Sequence, residues 1–400
     1  MTLRFTTAGE SHGRGLVGIL EGLPAGLSIT AAQVDAELKR RQGGYGRGAR
    51  MKIESDRIEW LAGVRAGETL GSPIAMLIWN RDWEHWQDVM APEPLPAERR
   101  RQVTRPRPGH ADLAGSLKYD RADARDILER ASARETVARV ACGAVCRALL
   151  AEFAIEIGSH VVELGGVVAR GVAAGGPDAG PWPRPLNAAS DASPVRCLDP
   201  DAEREMIARI DAAKAAGDTL GGIVEVVGLG VPVGLGSHVS WDRKLDGRLA
   251  QAMMSIPAVK GVELGLGFEA ARRKGSEVHD EILPGFARAT NRAGGTEGGM
   301  TTGEPLTVRV AMKPISTLMS PLKTVDLKTG APAQAQSERS DVTAVPAMGV
   351  IAEAMMAIVV AQALLEKFGG DALNEVKRNV AGYLAQVRAR TAGSSRDAAS

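Results

Sequence analysis

Aromatic side chains are scarce. Phe, Tyr and Trp make up 4% of the 400 residues, so a core must be built from Ala, Val, Leu, Ile and the 13 Met within a 44% hydrophobic content. Cysteine is nearly absent: Cys142, Cys146 and Cys197 form an odd set without the spacing of a zinc site. Cys142 and Cys146 fall four apart in a helical pattern, so they read as buried thiols, in keeping with a reducing cytosol. Net charge is also low, at +1, which argues against a general nucleic-acid binder. The most apolar run, residues 349–365, is broken by Glu353 and Gln362 and reads as a buried helix rather than a membrane span. No apolar leader follows Met1, and a cytoplasmic location is expected. Walker and nicotinamide-binding fingerprints are missing too.

Glycine and proline are plentiful and punctuate the chain. Residues 3–8 and 16–20 read as strands around an opening loop, and Thr30-Ala31-Ala32-Gln33 has the form of a capping box before a helix that ends at Gly43-Gly44. Strands are expected at 58–64 and 73–79, followed by a polar excursion over 80–108. Ser132, with Glu135 three residues later, marks another helix start, and Asp199-Pro200 a third. Residues 169–194 are rich in Gly, Ala and Pro and read as a surface insertion. Neither a repeat nor a linker divides the chain. One multilayer body over residues 1–387 is expected, with 388–400 as a frayed, flexible tail.

Three groups of residues carry chemistry. In Ala8-Gly9-Glu10-Ser11-His12-Gly13-Arg14-Gly15 a hydroxyl, an imidazole and a guanidinium share a glycine-rich loop. It is not a nucleophile elbow, which needs a flanked serine on a strand-to-helix turn. Arg41, Arg47 and Arg50, with Arg40 nearby, alternate with glycines and read either as a solvated surface cluster or as a site that calls for an anion, with Arg105, Arg107 and Arg134 as further candidates. His110 sits in a Gly/Pro loop beside arginines, as His12 does; nearby cations lower a histidine pKa and a bound phosphate raises it. The third group is the glycine-rich run 291–300, residues 313–317, and Arg339-Ser340-Asp341. Asp341 reads either as a helix N-cap or as a general base.

Taken in order, Gly9-Glu10-Ser11-His12-Gly13, residues 40–48, Arg107-Pro108-Gly109-His110-Ala111-Asp112, residues 132–136, Ala258-Val259-Lys260-Gly261, residues 313–317 and Arg339-Ser340-Asp341 resemble the chorismate synthase family. The likeness runs from about residue 3 to residue 368. Two local departures are Pro257, where the family often has Asn or Gln, and Thr301-Thr302-Gly303, where Ser-Asn-Gly is common.

The resemblance implies an α+β fold, a β-α-β sandwich with helices packed between antiparallel sheets, and a homotetramer. It implies 1,4-elimination of phosphate from 5-enolpyruvylshikimate 3-phosphate to give chorismate. Reduced FMN is required there without net redox change. Ser11, Arg41, Arg47, Arg50, Arg134 and Arg339 are implied to bind substrate. His12 is implied to protonate the departing phosphate, His110 to act on the reduced flavin near N1, and Asp341 to relay the proton from N5. The cofactor is implied to rest on Arg130, Ala131, Ser132, Pro257, Ala258 and Gly298, together with Lys313, Pro314, Ile315, Ser316, Thr317 and Arg339. Arg41 and Arg47 are also implied as NADP contacts. The competing expectation is an FMN-dependent NADPH oxidoreductase, which needs a recognisable nicotinamide unit. Without one, an external flavin reductase is the expected source of reduced FMN; neither nucleic acid nor membrane is an expected partner.

Overall fold

The computed structural model describes residues 2–48, 55–94, 101–176, 180–337 and 341–397. Side chains alternate across a strand, and this decides which face of the first sheet is inward. Leu16 and Leu20 on strand Gly15–Glu21, and Ile74, Met76 and Ile78 on strand Ile74–Trp79, are fully buried on one side. These strands join Arg4–Ala8 and Glu59–Ala62 in a four-stranded antiparallel sheet, in the order Arg4–Ala8, Gly15–Glu21, Ile74–Trp79, Glu59–Ala62. The larger sheet has the order Val259–Leu264, Leu306–Met312, Gly222–Leu229, Glu156–Leu164, Val167–Val168, again antiparallel.

Helices fill the space between the sheets. Helix Thr136–Ala151 packs against the smaller sheet, and the core helix Val345–Phe368 packs against the larger one, with the two helices in broad contact. The expected β-α-β sandwich is the observed architecture. At one point the helix backbones nearly touch: a Cβ on Gly143 would lie 2.4 Å from the Cβ of Ala354. The core helix is long and apolar enough to cross a membrane, yet 94% of its most apolar stretch is buried inside the protein. Glu353, on the buried stretch of this helix, is fully buried and accepts from Arg40, Arg147, Arg196 and Ser159 at 2.6–2.9 Å. Burial opposes its ionisation, but the arginines outweigh it and hold its pKa at about 2.

Local signals are obeyed with informative exceptions. Thr30 and Gln33 form the capping box of helix Ala31–Gln42, and Asp199 caps helix Pro200–Ala216. Ser132 does cap, accepting from the N–H of Arg134, but Glu135 does not reach back. Its carboxylate takes the Thr7 hydroxyl and the Arg139 guanidinium instead, a tertiary pairing winning over a local one. Residues 169–194 do more than decorate the surface: Trp182 and Leu186 pack on Val227 and Leu229 and cover the outer face of the larger sheet. The last helix, Leu373–Asp397, runs through much of the stretch 388–400 that the sequence predicts to be a frayed tail. The three cysteines are buried and unpaired, and burial pushes the Cys142 thiol up to about 12.

Candidate active site

The opening loop is shaped by backbone geometry before any side chain acts. Gly9 has φ +109°, and a Cβ there would lie 2.4 Å from the carbonyl oxygen of Gly15, so only glycine fits. Asn80 fastens the loop from below, donating to the carbonyls of Glu10 and Gly13 at 3.1 and 2.8 Å. This presents Ser11 and His12 to a cavity of about 490 Å³, within the range of small-molecule and cofactor sites.

Both candidate histidines line this cavity and each is held by a buried carboxylate. The Nδ1 of His12 lies 2.9 and 3.0 Å from the two oxygens of Glu129, and its ring stacks on Trp86 at 3.9 Å. The Nδ1 of His110 lies 2.5 Å from Oδ1 of Asp112, whose other oxygen takes the Arg107 guanidinium at 2.8 Å. Burial works against ionisation of Asp112, but the hydrogen bonds from His110 and Arg107 prevail and hold it well below the usual carboxylate range.

Cations dominate the remaining polar wall. Arg41, Arg47, Arg107 and Lys313 line the cavity, with Asp341 as the carboxylate among the lining residues. Arg41 is almost fully buried and bonds to Thr136 and to the carbonyl of Ala133, while its Nη1 finds no hydrogen-bond acceptor. Burial depresses its pKa to about 9; the charges of Arg47 and Arg134 lower it further, and Asp56 opposes them. Such a group is still charged at neutral pH, and an incoming anion would relieve it. Lys313 is likewise lowered, by burial and by Lys260.

Asp341 is not a helix cap. The core helix begins at Val345 with Ala344 at its N-cap; Asp341 instead accepts from the backbone N–H of Gly48 at 2.6 Å and faces Arg47 at 3.4 Å. Two more loops close the wall. Arg107 donates to the Thr317 hydroxyl at 2.9 Å, and Lys313 donates to the carbonyl of Gly109 at 2.8 Å, tying the His110 loop to residues 313–317. The rest is apolar: Ile256, Pro257, Met312, Met348 and Ile351 offer a surface against which a flat ring can lie. Ala258, at φ +69°, is a non-glycine residue in the left-handed region on the same wall, the kind of local strain that concentrates at functional sites.

Several residues from the sequence stand elsewhere. Arg134 does not line the cavity; its guanidinium is buried beneath it, bonded to Asp56 at 2.6 Å and Asn80 at 2.9 Å. Arg130 turns away and donates to the carbonyls of Thr7 and Gly9, although its neighbours Ala131 and Ser132 do line the cavity. Gly298 forms the turn of the hairpin Thr296–Glu297/Met300–Thr301. That hairpin abuts the start of helix Leu245–Met254, whose other end leads to Pro257, about 15 Å of helix away. Pro314 is not among the lining residues, whereas Ile315, Ser316 and Thr317 are. Arg40 points into the Glu353 cluster, and Arg105 is exposed and donates to Gln336. Arg50 and Arg339 lie outside the described residues. Glu129, Asp56, Asn80 and Trp86 were not found from sequence, because each reaches the site from a distant element.

Comparison with known proteins agrees with this arrangement. The family model for chorismate synthase matches residues 3–365. Chorismate synthase of Moorella thermoacetica is 60% identical over 385 residues, covering 95% of this chain and 98% of that protein. The Salinispora tropica enzyme is 58% identical over 395 residues, covering 96% and 98%. A crystal structure of chorismate synthase superposes with a TM-score of 0.77 at 46% identity, over 97% of this chain and 99% of that one. Matched along nearly its whole length, and with the family's histidine loops facing one cation-lined cavity, the chain belongs to the chorismate synthase family.

Proposed function

We propose that this chain is a lyase that eliminates phosphate from 5-enolpyruvylshikimate 3-phosphate to give chorismate, in the shikimate route to aromatic amino acids, with reduced FMN bound in the same cavity. The observation that carries this reading is the pairing in one cavity of two carboxylate-held histidines with four cations. The substrate's phosphate and carboxylates bring negative charge to a wall where Arg41, Arg47, Arg107 and Lys313 outnumber the lining carboxylate, Asp341. The residues present also fit a flavin: Met348, Ile351 and Pro257 give a flat apolar face, and Ala131, Ser132, Ala258 and residues 315–317 offer polar backbone beside it.

Bound reduced FMN supplies transient electron donation and removal of a poorly acidic hydrogen, with no net redox change. Everything else falls to the chain. His12, with Nδ1 held by Glu129, gives a proton to the departing phosphate from Nε2. The buried guanidinium of Arg41 stabilises the charge that accumulates on that phosphate, in a site where water screens little. His110, with Nδ1 on Asp112, serves the cofactor side of the cavity. Asp341, steadied by Gly48 and Arg47, accepts and passes on the proton lost from the substrate ring. The apolar wall excludes water from the reacting atoms.

A homotetramer in the cytoplasm, fed by a separate flavin reductase, completes the reading. An anaerobic assay of phosphate release with and without reduced FMN tests it. Release is expected only with the reduced cofactor; equal release without it would contradict the proposal. NADPH with oxidised FMN and no added reductase is expected to give no sustained turnover.

A further inference from the structure

Glu129 lies in helix Arg125–Ala131, and its side chain is 2% exposed. It is 117 residues from His12 in sequence, yet it serves that residue twice: one oxygen accepts the His12 backbone N–H at 2.8 Å, and the carboxylate meets Nδ1 at 2.9 and 3.0 Å. Its own carbonyl accepts the N–H of Ser11 at 2.9 Å. Arg125, one helical turn earlier, donates to Glu129 at 2.8 Å and places its guanidinium 5.0 Å from the centre of the Trp86 ring, which in turn stacks on His12. The four groups form a closed circuit around the imidazole.

Burial opposes ionisation of Glu129, but the hydrogen bonds from His12 and the charge of Arg125 keep it ionised. An ionised carboxylate can only accept hydrogen bonds. Nδ1 must therefore carry a proton, which leaves Nε2 as the nitrogen available to the cavity. We propose that Glu129 is the positioning residue of His12, keeping one proton on Nδ1 and the ring oriented so that the second proton, carried by Nε2 in the imidazolium, faces the leaving phosphate. This rests on the proposed role of His12. A glutamine at 129 has one acceptor oxygen instead of two and an amide that donates. It would have to choose between the His12 backbone and ring, and it permits the opposite tautomer. Loss of the correct tautomer at a catalytic histidine is costly even when geometry is kept.

The test is a double-mutant cycle on the full chain with reduced FMN, reading kcat and KM separately, with melting temperature as control. Glu129→Gln is expected to lower kcat by ~10²-fold, within the range for an impaired acid–base group, while KM and FMN affinity stay near parental. Glu129→Asp, which keeps the charge, should recover part of the loss. In a His12→Ala background, Glu129→Gln should lower turnover no further. Parental kcat in Glu129→Gln, or equal losses in both backgrounds, would overturn the inference while leaving the role of His12 standing. Parental turnover in His12→Ala would overturn both. A readout that needs no variant at site 129 is the ¹⁵N spectrum of histidine-labelled protein, with His12→Ala assigning the signal among six histidines. A protonated Nδ1 is expected, and a neutral ring protonated at Nε2 would overturn the inference.

Discussion

The carboxylate of Asp341 accepts a 2.6 Å hydrogen bond from the backbone N–H of Gly48, 293 residues earlier in the chain. This bond closes the arginine loop onto the start of the core helix, and it gives Asp341 a role that a cap could not have. Asn can accept the same bond through its amide oxygen but cannot accept and pass on a proton at neutral pH. Asp341→Asn is therefore expected to keep the parental melting temperature and FMN affinity. Its turnover should fall by at least ~10²-fold, the lower range for losing an acid–base group. Near-parental turnover at unchanged stability would return Asp341 to a structural role.

His12 offers the complementary case. Its backbone is anchored by Glu129 and its loop by Asn80, so truncating the ring leaves the loop held. His12→Ala should fold and bind both ligands but lose ~10²–10⁴-fold in turnover, the usual contribution of one general acid. Turnover within a factor of two of parental would remove it from the proton path.

What could be read from sequence follows the range of the interactions. The caps at Thr30 and Asp199, the buried helix around Glu353 and the two histidine loops are local patterns of side-chain type and spacing, and they were legible. Glu129 was not, because a lone glutamate in a short helix carries no local sign of the histidine it meets across 117 residues. Arg134 shows the opposite failure. Its motif marks it for the site, yet Asp56 and Asn80, from two other elements, draw its guanidinium beneath the cavity floor. Glycines tell the same story: Gly9 sits where its loop demands positive φ, whereas Gly298 satisfies a hairpin turn remote from the cavity.

The core makes its own prediction. The folded-state pKa of Glu353, about 2, lies below the ordinary glutamate range. The unfolded chain therefore binds more protons across this window, and stability rises with pH through it. The contribution of Glu353 should be fully present above about pH 5 and fade as pH falls through about 2. Glu353→Gln should cost about 3–5 kcal/mol at neutral pH, as expected for stranding buried arginines, and should flatten the acid limb of a stability–pH curve. An unchanged curve from chemical denaturation would show that the arginines do not depend on this carboxylate.

Helix contact supplies a second stability test. Gly143 lets helix Thr136–Ala151 approach the core helix so closely that a new Cβ would also lie 2.6 Å from the Cα of Ala354. Alanine usually favours a helix, yet here overpacking should prevail. Gly143→Ala is expected to destabilise by about 1–3 kcal/mol, measured by denaturant midpoint. A gain in stability would mean that the helices separate without penalty.

The most direct measurement is redox accounting under anaerobic turnover. Enzyme, substrate and reduced FMN are mixed without oxygen, and phosphate, chorismate and flavin absorbance are followed together. An elimination without net redox change predicts many equivalents of phosphate and chorismate per flavin, with the flavin still reduced at the end. One flavin oxidised for each product formed would contradict it and make the chain an oxidoreductase.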